Sequence, residues 1–215
     1  MRELEQSGLS ESVAEVLGDV ADALEQAGIP YLVIGGIASA LYGRPRASDD
    51  LDILVAKPDA ERTLDALAAA GFETERTNDQ WIYKGFREGV RIDVIFWLKG
   101  DLYLDDEMLA RARHVDVAGR SIPVIPPEDL IVVKVIIHDE QTPRHWGDAL
   151  GLVANCADLD WDYLTRRGRH GARRLLALLV YAQSNDLLVS DDVVRKMFDV
   201  VYPAAAAGPG SGHGG

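Results

Sequence analysis

The chain has 215 residues, 47% of them hydrophobic, with a formal net charge of −13; this suits one large domain, or one domain with a helical extension, around a well-packed core. Such acidity argues against a protein that coats nucleic acid nonspecifically, because phosphate backbones are held mainly by Lys and Arg. A lone cysteine, Cys156, leaves no internal disulfide or cysteine zinc cluster, and the absence of a long apolar run or a leader-like N-terminus sets the expectation of a cytoplasmic protein with no membrane partner.

Residues 10–27 carry Val13, Val16, Leu17, Val20 and Leu24 at helical spacing and stop at Gly28. An apolar strand over 31–34 follows, then the turn Gly35-Gly36 and a short helix over 37–42. Gly43-Arg44-Pro45-Arg46 breaks that helix, and Ser48 leads into a strand that carries Asp50 and Asp52 and ends near Ala56. A helix is expected over 58–70, stopped by Gly71. Strands over 80–86 and 90–97 are joined as a hairpin through Arg87-Glu88-Gly89. A helix over 104–113 and a second hairpin about Ala118-Gly119 come next. Pro126-Pro127-Glu128-Asp129 then opens a helix with proline in its first turn and acids near its positive end. Its body, 130–138, is apolar nearly all round, so it is buried, yet it contains Lys134. Helices over 144–157, 161–167, 172–184 and 191–201 follow, Ser190 capping the last. The tail, 203–215, is low-complexity and reads as disordered.

The fold class implied is α/β of the α+β kind: a small mixed β-sheet core with flanking helices and a helical C-terminal part. The organisation expected is 1–125 for the core with its N-terminal helix, 126–202 for the helical part and 203–215 for the tail.

Asp50 and Asp52 are two residues apart in a strand, so their side chains leave one face while Leu51, Ile53 and Val55 leave the other. At roughly 6 to 7 Å, two like charges at an effective dielectric near 20 repel by about 2 to 3 kcal/mol. A hard divalent cation reverses that sign, since Mg²⁺ takes carboxylate and phosphate oxygens. Asp93 alternates with Ile92 and Val94 in the later strand, and a carboxylate flanked by such residues needs a partner. Six basic residues, Arg166, Arg167, Arg169, His170, Arg173 and Arg174, form a local patch that either meets RNA or is a solvated helix face.

The sequence lacks G-x-G-x-x-G, since Ile37 stands where the second glycine belongs, and it lacks the P-loop and serine-elbow motifs. What remains is a Gly35-Gly36 turn with backbone N–H groups for a triphosphate, Ser48 as a hydroxyl donor, and Asp50, Asp52 and Asp93 as converging carboxylates. That is equipment for two-metal transfer of a nucleotidyl group.

Gly35-Gly36, Asp50-x-Asp52 and the later Asp93 resemble the signature of the DNA polymerase beta-like nucleotidyltransferase superfamily. The stretch 127–153 is similar to the helical motif of its AbiEii-like branch, the toxins of type IV toxin-antitoxin systems, with Lys134, Arg144 and Asp148 at the matching positions. The resemblance spans 31–157. It implies that Asp50, Asp52 and Asp93 are metal ligands for two Mg²⁺ ions, with Asp93 also the base toward the acceptor hydroxyl. It further implies that Lys134 reaches nucleotide phosphate and that Asp148 orients that lysine or the acceptor; Arg44 and Arg46 either clamp phosphates or are solvated. The expected partners are an NTP, a hydroxyl acceptor such as tRNA or an aminoglycoside, and an antitoxin protein. A noncatalytic member that holds a nucleotide or a partner is the alternative.

Overall fold

The computed structural model describes residues 9–44, 48 and 50–203; Arg46 and all but the first residue of the expected tail lie outside these. The first helix, α1 (Glu11–Gln26), buries Val13, Val16, Leu17, Val20 and Leu24 along one stripe. Ser10 caps it by accepting the Val13 N–H at 3.3 Å. Ser10→Ala is expected to cost about 1 kcal/mol, read as a lower urea midpoint.

The chain then builds a seven-stranded mixed sheet from β1 (Tyr31–Val33), β2 (Asp50–Val55), β3 (Glu73–Asn78), β4 (Ile82–Arg87), β5 (Val90–Ile95), β6 (Arg113–Val117) and β7 (Arg120–Val124), in the order β3-β4-β5-β2-β1-β7-β6. Hairpins explain the antiparallel pairs β4/β5 and β6/β7. Between them lie two parallel contacts, β2 with β5 and β1 with β7. The first fixes the site, because its register sets Asp50 beside Arg91 and Asp52 beside Asp93.

Between β1 and β2 comes α2 (Gly35–Leu41), and α3 (Ala60–Ala69) follows β2. The helix expected over 104–113 is confined to α4 (Asp106–Ala110). Asp105 caps its start by accepting the Met108 N–H at 2.8 Å, and Arg113 leaves to pair with Val124 in the β6/β7 ladder. Strand β3 was not foreseen, since all its residues are exposed and no apolar alternation marks it.

The helical part consists of α5 (Pro127–Ile137), α6 (Arg144–Asn155), α7 (Trp161–Arg167), α8 (Ala172–Ser184) and α9 (Asp191–Val201). Helix α5 is central: Leu130, Ile131, Val132 and Val135 have no exposed surface, and they join sheet and helices in one core. Its buried acids tie it to α7, Asp129 accepting from the Tyr163 hydroxyl at 2.5 Å and from Arg167 Nε at 2.6 Å. Half of the basic run is thereby engaged internally. Arg166 forks onto Glu107 at 2.9 and 2.6 Å, Arg167 bridges Asp129 and Asp105, and Arg174 donates to the carbonyls of Val135, Ile136 and His138. Among the described residues, no helix is long and apolar enough to cross a membrane.

Candidate active site

One close approach sets the position of Asp52. Gly35 takes a φ of +71°, and a Cβ built there would lie 1.8 Å from Asp52 Oδ2. The missing side chain is what lets the Asp52 carboxylate reach across the start of α2. The Gly36 N–H then donates to that carboxylate. In this structure the glycine pair therefore first accommodates an aspartate. Gly35→Ala should lower stability by about 1 to 2 kcal/mol from the positive φ alone. It should also displace Asp52, so a lower melting temperature together with lost activity is the expected result.

Asp52 is half-buried and lines a cavity at this end of the sheet. Burial pushes it up to about 6, with the Asp93 charge adding to the rise and Lys134 and the Gly36 N–H opposing it. Asp93 is 9% exposed, and burial raises it as well, against the neighbouring Arg91. Two carboxylates facing each other across a parallel ladder, both biased toward protonation, mark a place that lacks positive charge.

Arg91 supplies part of that charge. It donates to Asp50 Oδ2 at 2.6 Å and to Asp93 Oδ1 at 3.1 Å, bridging the two carboxylates from the same strand face. The even spacing of Arg91 and Asp93 places it there, although the strand register that makes it face Asp50 is not visible in sequence. Among the described residues, no three His, Cys, Asp or Glu side chains form a ready metal cluster. The donor set is nevertheless all carboxylate oxygen, the type a hard cation takes, and Arg91 already seats a positive charge among these carboxylates.

These groups line a cavity of about 420 Å³ whose walls also carry Ser48, Lys134, Arg144 and His145. The Ser48 hydroxyl donates to the Asp50 carbonyl at 3.1 Å, which fixes the entry to β2. Lys134, 2% exposed, donates to Asp148 Oδ2 at 3.0 Å. Asp148, 1% exposed, accepts from Arg44 Nε at 2.9 Å through its other oxygen. Helices α5 and α6 and the loop after α2 thus meet at one carboxylate behind the cavity. Of the expected residues, Gly35, Gly36, Ser48, Asp50, Asp52, Asp93 and Lys134 line the cavity, whereas Arg44 and Asp148 stand behind Lys134. Arg91 and His145 were not among those expected.

The family described as uncharacterised nucleotidyltransferase matches residues 5–188. The chain belongs to that family. No curated protein matches it. In fold, this nucleotidyltransferase resembles the solution structure of the antibiotic-resistance factor ANT(2'')-Ia, at a TM-score of 0.56 and 15% identity over 80% of this chain and 97% of that one. The crystal structure of ANT(2'')-Ia in complex with adenylyl-2''-tobramycin gives 0.52 and 14% identity over 74% and 97%. Lincomycin-bound lincosamide adenylyltransferase LnuA follows at 0.48 and 16% over 67% and 97%.

Proposed function

We propose that this nucleotidyltransferase moves a nucleoside monophosphate from an NTP to the hydroxyl of an acceptor, with a divalent cation such as Mg²⁺ and release of pyrophosphate. The observation that carries this reading is the parallel register of β2 and β5, which sets Asp52 beside Asp93 and Asp50 two residues along the same face. Asp50, Asp52 and Asp93 would hold the cation, in place of the Arg91 fork. A bound cation offsets phosphate charge and acidifies the attacking hydroxyl.

The chain's own groups divide the remaining work. Asp93, raised by burial, takes the acceptor's proton as the acceptor oxygen bonds to the α-phosphorus and the bond to the leaving pyrophosphate breaks. Lys134 and Arg144, which line the same cavity, present positive charge to the triphosphate. Asp148 orients Lys134, and Arg44 steadies Asp148.

Bonds within the chain occupy Arg166, Arg167 and Arg174, the first and last of them still exposed, and the rest of the basic run is the exposed Arg169, His170 and Arg173. That favours a small-molecule acceptor over tRNA. A toxin role with an antitoxin partner rests on the helical motif with Lys134, Arg144 and Asp148 alone.

Purified protein incubated with Mg²⁺, each α-labelled NTP, and tRNA, aminoglycosides or a cell extract tests the reading. Label should move to an acceptor with pyrophosphate released, and EDTA or Asp52→Asn should stop it. If no label moves and Asp52→Asn binds nucleotide as the parent does, the noncatalytic alternative replaces the enzyme.

A further inference from the structure

Beside the carboxylate cavity lies a second chamber of about 690 Å³, walled by Trp81, Ile95, Trp97, Leu98, Lys99 and Ile137 among others. Ile95, Leu98 and Ile137 line both spaces, so the two are adjacent and share a wall. Ile95 follows Asp93 by two residues in β5 and leaves the same face, roughly 7 Å along the strand. The chamber therefore begins at the side chain next to the proposed base. Gly35 and Lys134 belong to the ionic space alone.

The chemistry changes sharply across that shared wall. One side holds Asp50, Asp52, Asp93, Arg91 and Lys134. On the other, no carboxylate lines the chamber among the described residues, and its single charged group is the cation of Lys99. Trp81 and Trp97 are 43% and 46% exposed, so two of the chain's four indoles stand half open to solvent here. Large aromatic surfaces left open beside a reaction site are where an apolar ligand gains most from burial. Two bonds brace the backbone of these walls: the Phe96 N–H bonds to the Trp81 carbonyl at 3.0 Å, and the Leu98 N–H bonds to the Leu102 carbonyl at 2.9 Å.

We infer that this chamber seats the acceptor, and that the acceptor is a small molecule with an aromatic or aliphatic body that projects its hydroxyl toward Asp93. The inference rests on the nucleotidyl-transfer reading and narrows it. A polycationic acceptor finds no carboxylate here to neutralise it, and leaving several ammonium groups unpaired against indole and aliphatic walls is unfavourable. A compact body with an apolar face loses water on both sides. The same flat apolar chemistry belongs to a nucleobase, but Asp93 is the carboxylate adjoining the chamber and is the one assigned to the acceptor's proton.

The experiment is calorimetric titration of the full chain in Mg²⁺ with 2-(2-naphthyl)ethanol, tobramycin, and a non-hydrolysable NTP analogue of each of the four bases, on the parent, Trp81→Ala, Trp97→Ala and Asp52→Asn. The naphthyl alcohol should bind the parent saturably and at least tenfold more weakly to each tryptophan variant. Analogue affinity should stay within twofold in those variants, tobramycin should not compete with the alcohol, and Asp52→Asn should keep alcohol binding. Tryptophan variants that lose the analogue instead would make the chamber the nucleobase seat and overturn the inference. Competition by tobramycin, or no alcohol binding to the folded parent, would overturn it as well. A parent that binds the alcohol but no non-hydrolysable NTP analogue, whichever of the four bases it carries, breaks the transfer reading and leaves the chamber as an apolar ligand site. Circular dichroism melting of each variant separates lost binding from lost fold.

Discussion

Asp52→Asn should make the protein inactive and more stable at the same time. The Asp52 carboxyl is pushed from its ordinary 3.8 up to about 6, mainly by burial, so the folded state binds a proton that the unfolded state has released. Stability contributed by that proton is fully present below about pH 4 and is lost as pH rises through 6, amounting to about 3 kcal/mol. Asparagine keeps the shape without the charge. At pH 8 in EDTA the variant should melt several degrees above the parent, and at pH 4 the two should converge. Nucleotidyl transfer should fall by at least about a hundredfold. Added Mg²⁺ should raise the melting temperature of the parent far more than that of the variant, because a cation bound only by the folded state stabilises it. Thermal melts over pH 4 to 8, with and without Mg²⁺, read all three effects. Equal melting curves at every pH would mean that Asp52 carries no strained charge.

The crowding of like charges explains why part of the candidate site was legible in sequence. Like charges two residues apart on one strand face need no homologue to look uncomfortable, and Asp93 among Ile92 and Val94 carries the same discomfort. The hairpins and α5 were legible for equally local reasons, a turn residue or an unbroken apolar run. What stayed hidden depends on register. The pairing of β2 with β5 joins segments some forty residues apart, and only that pairing turns Arg91 from a solvated hairpin residue into a bridge between Asp50 and Asp93. Strand β3 was hidden for the opposite reason: as a fully exposed edge it has no buried face to print a pattern. The basic run 166–174 looked like a surface feature because sequence shows charge without partners, and Glu107, Asp105 and Asp129 come from two other helical segments and a loop.

The Lys134–Asp148 pair is the other place where one substitution should have a large effect, and here stability and function part. Lys134 and Asp148 have side chains 3% and 1% exposed and meet at 3.0 Å, with Arg44 on the second Asp148 oxygen. Removing Asp148 alone takes away the carboxylate 3.0 Å from the buried Lys134 ammonium, and breaking a buried pair this way typically costs about 3 to 5 kcal/mol. Asp148→Leu should therefore lower the denaturant midpoint steeply, and Lys134→Met alone should do so to a lesser degree, because Arg44 still neutralises Asp148. The double variant removes both charges together, and apolar replacement of a buried pair is often neutral or stabilising. Its midpoint should recover most of the loss, a coupling of at least about 2 kcal/mol in a double-mutant cycle. Activity should not recover with it. If Lys134 presents its charge to the triphosphate, the refolded double variant stays inactive and its nucleotide affinity falls about tenfold or more, whereas a lysine that only holds α5 to α6 predicts activity returning with stability. Urea melts and labelled-NTP binding on the four proteins decide between the two.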